Sequence, residues 1–581
     1  MDKTSVSMRP LLGYLRKHQG TLVLGVVCLT LCNVFELVQP RLWKSIIECM
    51  DGGNILLPLG LLLAAGFGRS LFSYIQRILL IGSSRQIEYD LRNDLFRHLQ
   101  KLAPSYYVRT KTGDLMSRAT SDINAVRMLL GLGLMLVVDT INLLGVSLLF
   151  MLHTSPQLTA VAMTPLLVLP FLAYYFNREI HQRYEAVQEY LSALSARVQE
   201  NISGVRVVKA FVQEAAEVLR FGRMNDEYIR RVLHLAGVEA PFNPLLGFCA
   251  GLGMVAALST GAWMVAKGRL TLADYVAFGG YLEMATGPMA GFGVMLTMWQ
   301  KGKTSLGRLQ EILDTRPEIE DAPGVRSLGE VRGEIRLKGL TVRHPGADRD
   351  ALQDVSAEIP AGAFVAVLGP VGSGKTTLLG AIARIVRVPD GQVFLDGQDV
   401  NHIALASLRG ALGTVPQDTF LFSDTVRNNI AFGRMEATAE EVASAARLSG
   451  VEEEIRALPS GYDQVIGERG VTLSGGQRQR LAIARALAKD PRILLLDNCL
   501  SSVDAETEEN ILKGLRDYFR GRTAVVVSHR ASAVRDADLI LVMDEGRVVE
   551  RGTHAQLLAA GGDYAWLCHR QELEEAVERT G

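Results

Sequence analysis

The stretch from Thr140 to Asn177 contains no aspartate, glutamate, lysine or arginine. One transmembrane helix needs only ~20 predominantly apolar residues, so this stretch is long enough for two. The turn-forming segment His153–Pro156 divides it into two spans joined by a very short connection. A chain with this feature is expected to fold, at least in part, inside a lipid bilayer.

Further apolar runs predict the other membrane spans. They lie at Thr21–Pro40, Ile55–Ile81, Ala240–Ala266 and Tyr275–Met298. The sequence therefore predicts six transmembrane helices. The connections near residues 41–54, 153–156 and 267–270 are short. Those near residues 83–127 and 178–239 are long and charged, with apolar residues at helical spacing, so they are interpreted as helical extensions into the cytoplasm. The N-terminal segment Arg9–His18 is expected to be an amphipathic elbow helix on the membrane surface.

Ionisable side chains inside membrane spans are costly and often functional. Glu36, Arg69, Arg77, Asp139 and Glu283 fall within predicted spans, and Arg77 is near enough to a span end to reach the interface. Glu36, Asp139 and Glu283 are candidates for lining a substrate cavity. The alternative is that they pair with other side chains or face a wet cavity without contacting substrate.

Composition supports a chain with one membrane part and one soluble part. Hydrophobic residues make up 48% and charged residues 21%, which suits neither a soluble domain nor a wholly membrane-embedded one. The net charge of −1 gives no reason to expect a nucleic-acid partner. The cysteines have neither CxxC nor metal-ligand spacing, which favours a reducing compartment around the soluble part.

The soluble part contains a phosphate-binding motif. The apolar run Ala363–Leu368 leads into the P-loop Gly369-Pro-Val-Gly-Ser-Gly-Lys-Thr376, and a helical pattern follows. Glycines allow backbone N–H groups to surround a phosphate, and the helix N-terminus points its positive end at the same anion. Lys375 is expected to reach the β- and γ-phosphates, and the Thr376 hydroxyl to bind Mg²⁺. The expected ATP-binding residues of this motif are Gly369, Gly372, Ser373, Gly374, Lys375, Thr376 and Thr377.

A second apolar run, Ile493–Leu496, ends in Asp497. A carboxylate at the end of a buried strand suits a Mg²⁺ contact through water. This pattern is weak by itself and becomes strong because it follows a P-loop at the distance expected within one domain.

Between these motifs, Leu473-Ser-Gly-Gly-Gln477 resembles the signature sequence of ABC ATPases. The resemblance extends to Gln417 as the Q-loop glutamine and His529 as the switch histidine. It also includes Ser501-Ser-Val-Asp504 as the D-loop, with Ser502 and Asp504, and Gly467-Glu-Arg-Gly470 as the exporter X-loop.

The membrane half resembles ABC exporters as well. Gly113–Asp122 and Val207–Phe211, with Gln213 and Glu214, are similar to the intracellular loops of that family. The match runs from about Leu11 to Leu567 and is of the half-transporter kind. The expected domains are a transmembrane domain at 1–301, a linker at 302–333 and an α/β ABC ATPase domain at 334–581.

The resemblance implies that two half-transporters work together with ATP and Mg²⁺. Asp497 and Gln417 are implied to join Thr376 at the metal. Ser474, Gly475, Gly476 and Gln477 are implied to contact the nucleotide held by the partner subunit. Residues 110–115 and 211–214 are the candidate coupling elements.

Two positions depart from the family pattern. The residue after Asp497 is usually a glutamate that acts as general base, and here it is Asn498. An amide accepts a hydrogen bond but takes no proton at neutral pH, so ATP should bind and turn over slowly. The residue that usually stacks an aromatic ring on adenine corresponds to His344, whose imidazole offers less area.

Two interpretations of Asn498 stand beside each other. In a heterodimer, this chain supplies a degenerate ATP site, while its intact signature completes a competent site with the partner. In a homodimer, Asn498 is either engineered to trap ATP or tolerated. The heterodimer is favoured because an intact signature accompanies the missing base.

The expected function is ATP-driven export of a lipophilic or amphipathic substrate by alternating access, from a bacterial plasma membrane with the ATPase in the cytoplasm. The alternatives are an ATP-gated channel or regulator driven by ATP binding, and an importer on the same scaffold.

Overall fold

The computed structural model describes residues 9–50, 53–467, 470, 473–501, 505–531 and 534–580. The chain forms two compact units. The membrane unit contains residues 1–99 and 113–315, and the ATPase unit contains residues 100–112 and 316–581.

The membrane unit is helical, and its stretch Thr112–Thr154 contains both α-helical and π-helical turns. Its helices are Arg9–Lys17, Gln19–Cys49, Leu56–Leu99, Thr112–Ser117, Ile123–Met128, Leu134–Asp139, Gly145–Thr154, Pro156–Leu166, Leu169–Ser203, Val205–Ala210, Glu214–Glu239, Phe242–Ala266 and Leu272–Leu313. The π turns are Arg118–Asp122, Leu129–Gly133 and Thr140–Leu144.

Five helical stretches of the described chain are long and apolar enough to cross a membrane. They are Gln19–Cys49, Leu56–Leu99, Thr112–Thr154, Pro156–Ser203 and Glu214–Ala266. The sixth predicted span, Tyr275–Met298, lies inside helix Leu272–Leu313, which is not among these five. The count of six transmembrane helices therefore stays a prediction.

Two segments expected to be irregular are helical. Helix Gln19–Cys49 continues through Pro40 into the segment expected to be a connection. Helix Leu272–Leu313 extends into the expected linker because Leu306, Leu309 and Ile312 recur at helical spacing and are buried. The charged residues between these apolar positions raise the local charge, and for this reason the composition indicated a linker.

A buried carboxylate also fixes the end of this helix. Asp122 is 4% exposed and accepts hydrogen bonds from Ser305 Oγ at 2.9 Å and Arg308 Nε at 2.8 Å. A buried carboxylate needs such partners, since an unpaired charge there would be strongly destabilising. The residues expected to start a linker therefore form part of the membrane unit.

The ATPase unit contains two sheets. Its strands are β1 Ile335–Val342, β2 Leu352–Ile359, β3 Phe364–Leu368, β4 Val393–Leu395, β5 Gln398–Asp399, β6 Leu412–Val415, β7 Ile493–Asp497, β8 Thr523–Val527, β9 Leu539–Asp544 and β10 Arg547–Gly552. An antiparallel sheet has the order β2-β1-β4-β5. The main sheet has the order β10-β9-β3-β8-β7-β6 and is parallel except for β10 at its edge.

Helices surround these sheets. The α-helices of the unit are Pro104–Arg109, Lys375–Ile382, Leu405–Ala411, Val426–Ala431, Ala439–Leu448, Glu452–Ala457, Gly475–Ala488, Ala505–Phe519, His554–Ala560 and Asp563–Thr580, with 3₁₀ turns at Val400–His402 and Gly461–Asp463. The parallel strands are buried on both faces, which explains why β7 and β8 read as continuous apolar runs. Their carboxyl ends meet at one edge, where α/β folds place ligand sites.

The remaining part of the expected linker packs on the ATPase unit. Arg384 Nη2 donates to the Glu320 carbonyl at 3.2 Å, and Asp321 accepts the Leu405 N–H at 2.9 Å. Ser105 Oγ, from the first expected intracellular loop, donates to Glu318 at 2.7 Å. These residues belong to the structure of the ATPase unit.

Candidate functional site

The P-loop has the conformation that its glycines permit. Gly369, Gly372 and Gly374 all have positive φ, and a Cβ on Gly374 would lie 2.5 Å from the Ala351 carbonyl oxygen. L-residues with a side chain rarely adopt this backbone, so glycine is required for both conformation and space. Helix Lys375–Ile382 begins directly after the loop. The arrangement leaves a backbone cradle at a helix N-terminus, which suits a phosphate group.

Lys375 is a buried cation held against this loop. Its Nζ donates to the carbonyl oxygens of Gly369 at 2.9 Å and Pro370 at 2.7 Å, and to Ser373 Oγ at 3.3 Å. Burial lowers the pKa of the Lys375 ammonium, while the Asp497 carboxylate raises it. Carbonyl groups neutralise no charge, so an anionic phosphate fits this position well.

The metal-binding candidates line a cleft that also contains Gly372, Gly374 and Lys375 of the P-loop. Thr376, Gln417 and Asp497 line it, and the Thr376 hydroxyl hydrogen bonds to the Asp497 carboxylate. Burial raises the pKa of Asp497, and Thr376, Lys375 and His529 lower it. The set provides only oxygen donors with one buried carboxylate, which fits Mg²⁺ completed by phosphate oxygens and water. When bound, Mg²⁺ would offset the negative charge of the phosphates.

Asn498 lies in this cleft at the end of β7. Its φ is 45°, in the left-handed region, and its N–H donates to the Val527 carbonyl at 3.0 Å. Asparagine is several-fold enriched in this region among non-glycine residues, so the backbone here suits it. Its side chain can orient a water molecule but offers no base at neutral pH.

His529 follows β8 and lines the same cleft as the P-loop lysine, Lys375. Burial lowers its pKa, the charge of Lys375 lowers it further, and Asp497 raises it. The neighbouring Arg530 donates to Glu508 at 2.7 Å, and Ser528 Oγ donates to the same carboxylate at 3.3 Å. Glu508 belongs to no motif in the sequence, and only its position on the amphipathic helix Ala505–Phe519 indicates that it is buried.

His344 is exposed and lines the same cleft, with Nε2 3.1 Å from Thr377 Oγ1. The hydrogen bond joins the expected adenine platform to the expected phosphate site. An imidazole at this position can stack on a purine ring.

The signature residues occupy a different place. Ser474 is exposed and caps helix Gly475–Ala488, accepting from the Gln477 N–H at 3.2 Å, while Gln477 Oε1 accepts from the Ser474 N–H at 2.9 Å. Among the described residues lining the P-loop cleft, none belongs to Leu473–Gln477. The helix N-terminus is therefore open to an anion supplied from elsewhere.

Some expected site residues lie outside the described residues. They are Ser502 and Asp504 of the D-loop and Glu468 and Arg469 of the X-loop.

The acidic residues of the membrane unit have different surroundings. Glu36 accepts two hydrogen bonds from Arg69, at 3.1 and 3.2 Å. Asp139 accepts one from the neutral Asn33 at 2.9 Å. Glu283 is exposed and lies on helix Leu272–Leu313. Arg69 offsets the charge of Glu36, whereas Asn33 does not offset that of Asp139.

The fold and the site together define a P-loop ATPase joined to a membrane-embedded helical unit. Residues 22–289 match the family model described as "ABC transporter transmembrane region", and residues 352–501 match the one described as "ABC transporter".

Relatives match over almost their whole length. A "Probable multidrug resistance ABC transporter ATP-binding/permease protein" of Bacillus subtilis is 37% identical, over 96% of each chain. An "ATP-dependent lipid A-core flippase" of Syntrophus aciditrophicus is 34% identical, over 98% of this chain and 95% of its own. A solved bacterial Atm1-family ABC exporter with ATP bound superposes with a TM-score of 0.79 at 29% identity, covering 96% of this chain and 99% of its own.

The chain belongs to the ABC transporter family. Its membrane region and its ATPase domain are fused in one chain, as in these exporters. It is a multi-pass membrane protein whose ATPase unit is coupled to transport and lies on the cytoplasmic side. The relatives named here come from bacteria, in agreement with the expected bacterial plasma membrane.

Proposed function

We propose that the chain is one half of a heterodimeric exporter and contributes an ATP site that binds nucleotide and hydrolyses it slowly. The observation that carries the proposal is Asn498 in a cleft that otherwise has the phosphate-binding candidate Lys375 and the metal-binding candidates Thr376 and Asp497. Binding depends on those groups, whereas turnover depends on a base that Asn498 does not supply.

In this proposal, Lys375 and the P-loop backbone hold the β- and γ-phosphates. Thr376, Asp497 and Gln417 hold Mg²⁺, and His529 contacts the γ-phosphate. The signature Ser474–Gln477 completes the nucleotide site of the partner subunit. ATP-induced closure of the two ATPase domains then drives the membrane helices from an inward-facing to an outward-facing state.

The proposed substrate is lipophilic or amphipathic. The names of two relatives, a multidrug resistance transporter and a lipid A-core flippase, support this class. In the membrane unit, internal pairing of Glu36 with Arg69 makes Glu36 a weaker candidate for substrate contact than Asp139.

The testing experiment measures ATP hydrolysis by the chain in lipid nanodiscs, alone and with a co-expressed half-transporter that has glutamate after its own β7-type strand. The proposal predicts near-zero activity alone and clear activity in the pair. Vigorous hydrolysis by the chain alone would contradict it. A pair that binds ATP and conducts substrate passively without hydrolysis would favour the ATP-gated channel.

Two variants in the pair separate the two sites. Lys375→Ala removes a phosphate ligand from this chain's own site, which is proposed to contribute binding and not hydrolysis, so it should lower the activity without abolishing it. Ser474→Asp keeps an N-cap but places a negative charge where the partner's γ-phosphate is expected, so it should abolish activity. A homodimer would lose activity with either variant.

A further inference from the structure

The loop Ser528–Ala531, named here the switch loop, carries His529 and is held by helix Asp563–Thr580. Gln571 Nε2 donates to the His529 carbonyl at 2.5 Å, and Gln571 Oε1 accepts the Ala531 N–H at 2.7 Å. One carboxamide therefore satisfies a backbone acceptor and a backbone donor on either side of Arg530. This contact fixes the loop backbone, not merely a neighbouring side chain.

A second set of contacts with the switch loop comes from Glu508. This carboxylate is 5% exposed and accepts from Ser528 Oγ and Arg530 Nη1. Burial raises the pKa of Glu508, and Arg530 and Ser528 lower it. The switch loop therefore has side-chain support from two different helices, Ala505–Phe519 and Asp563–Thr580.

Helix Asp563–Thr580 is itself anchored firmly enough to act as a support. Tyr564 is fully buried, and its hydroxyl lies 2.6 Å from His554 Nδ1. Glu550, on β10, accepts the backbone N–H groups of Asp563 at 2.6 Å and Tyr564 at 3.1 Å. A side chain can hold another group in place only when its own position is fixed. These contacts fix the start of the helix, where Tyr564 lies seven residues before Gln571.

We propose that Gln571 is a positioning residue that holds the His529 backbone so that the imidazole reaches the γ-phosphate of bound ATP. The proposal rests on the proposed function in one respect, the contact of His529 with that phosphate. It assigns a role to the C-terminal helix Asp563–Thr580. The pairing spans 42 residues of sequence, so no local motif indicates it.

The test uses the full chain in nanodiscs and the variant Gln571→Met, which keeps the side-chain length and loses both hydrogen bonds. Leu573→Ala, at an exposed position of the same helix, is the matched control. Amide hydrogen exchange at Ala531 should become roughly tenfold faster in Gln571→Met and stay unchanged in the control.

Nucleotide affinity distinguishes positioning from a general role in folding. Titration with fluorescent nucleotides should show about fivefold weaker binding of ATP in Gln571→Met, with ADP affinity unchanged because ADP lacks the γ-phosphate. His529→Ala should have the same selectivity, and the double variant should lose nothing further. Equal losses for ATP and ADP, or additive losses in the double variant, would overturn the proposal.

The two proposals fail in different ways. A wild-type chain that binds neither nucleotide would contradict the proposed function. Unchanged exchange at Ala531 in Gln571→Met would overturn the role of Gln571 alone, since that measurement needs no nucleotide.

Discussion

Replacing Asn498 by glutamate should convert the ATP site that we propose to be slow into a hydrolytic one. The carboxylate would arise at the end of β7, in the cleft that already contains Lys375, Asp497 and His529. A positioned base contributes roughly 10²–10⁴ in rate, which corresponds to about 2.7–5.4 kcal/mol of activation free energy.

The same substitution has a cost in stability that can be estimated separately. Residue 498 has a φ of 45°, where asparagine is well tolerated and glutamate is not. Strain of about 1 kcal/mol, with added repulsion from Asp497, should lower the melting temperature of the ATPase unit by about 2–4 °C. A loss of about 1 kcal/mol is small beside the roughly 5–15 kcal/mol by which folded proteins are typically stabilised. The ATPase unit should therefore stay folded, and activity should rise even though stability falls.

Asn498→Gln is the matched control, because it carries the same backbone strain and nearly the same volume without a base. The assay is phosphate release in nanodiscs, at saturating Mg²⁺ and ATP, by this chain paired with a half-transporter whose own catalytic glutamate is replaced by glutamine, with thermal unfolding recorded in parallel. Equal rates for the glutamate and glutamine variants, at comparable ATP affinity, would refute the explanation of Asn498 as a missing base.

Asp497→Asn should stabilise the apo chain at neutral pH, because burial raises the pKa of Asp497 and so disfavours its ionised form in the folded state. The stability of the wild-type chain should increase as pH falls through the raised pKa of Asp497 towards the ordinary value of 3.8. The variant should lack this pH dependence, and its Mg²⁺-dependent ATP affinity should be at least about tenfold lower. Thermal unfolding with and without Mg²⁺ and ATP measures both, and a destabilised apo variant would contradict the electrostatic argument. Gly374→Ala should abolish ATP binding, because its Cβ would lie 2.5 Å from a carbonyl oxygen. Gly372→Ala should weaken ATP binding less, because its Cβ would meet nothing within 4 Å. Equal ATP affinities of the two variants in a nucleotide titration would refute this. His344→Tyr should bind ATP about fivefold more tightly through a larger stacking area, and no gain over wild type in the same titration would exclude His344 from the adenine site.

The parts of the site that could be predicted are those encoded by contiguous residues. The P-loop needs a strand, glycines at fixed offsets and a helix start, and all three occur between Ala363 and Ile382. Local backbone requirements select residue types directly, so the motif is visible without a fold.

The contacts that could not be predicted join residues distant in sequence. Asp122 meets Arg308 across 186 positions, and Gln571 meets His529 across 42. Each of these side chains has ordinary surface chemistry, and only packing determines which partner it finds. The extension of helix Leu272–Leu313 into the expected linker was not predicted for a related reason: Leu306, Leu309 and Ile312 form an apolar helical face, but the charged residues between them dominate the composition.

Asn498 belongs both to a motif of contiguous residues and to a contact between residues distant in sequence. Its side chain removes a base, but its backbone conformation is one that asparagine adopts readily, and its N–H bond to Val527 keeps β7 and β8 aligned at their carboxyl ends. The groups proposed to bind phosphate and metal, Lys375 and Asp497, precede it and do not depend on its carboxamide. In the proposed heterodimer, binding and hydrolysis of ATP would therefore be separable at this site. The free energy of nucleotide binding would remain available to close the ATPase domains, while the bond-breaking step would occur at a site completed by Ser474 with the partner subunit.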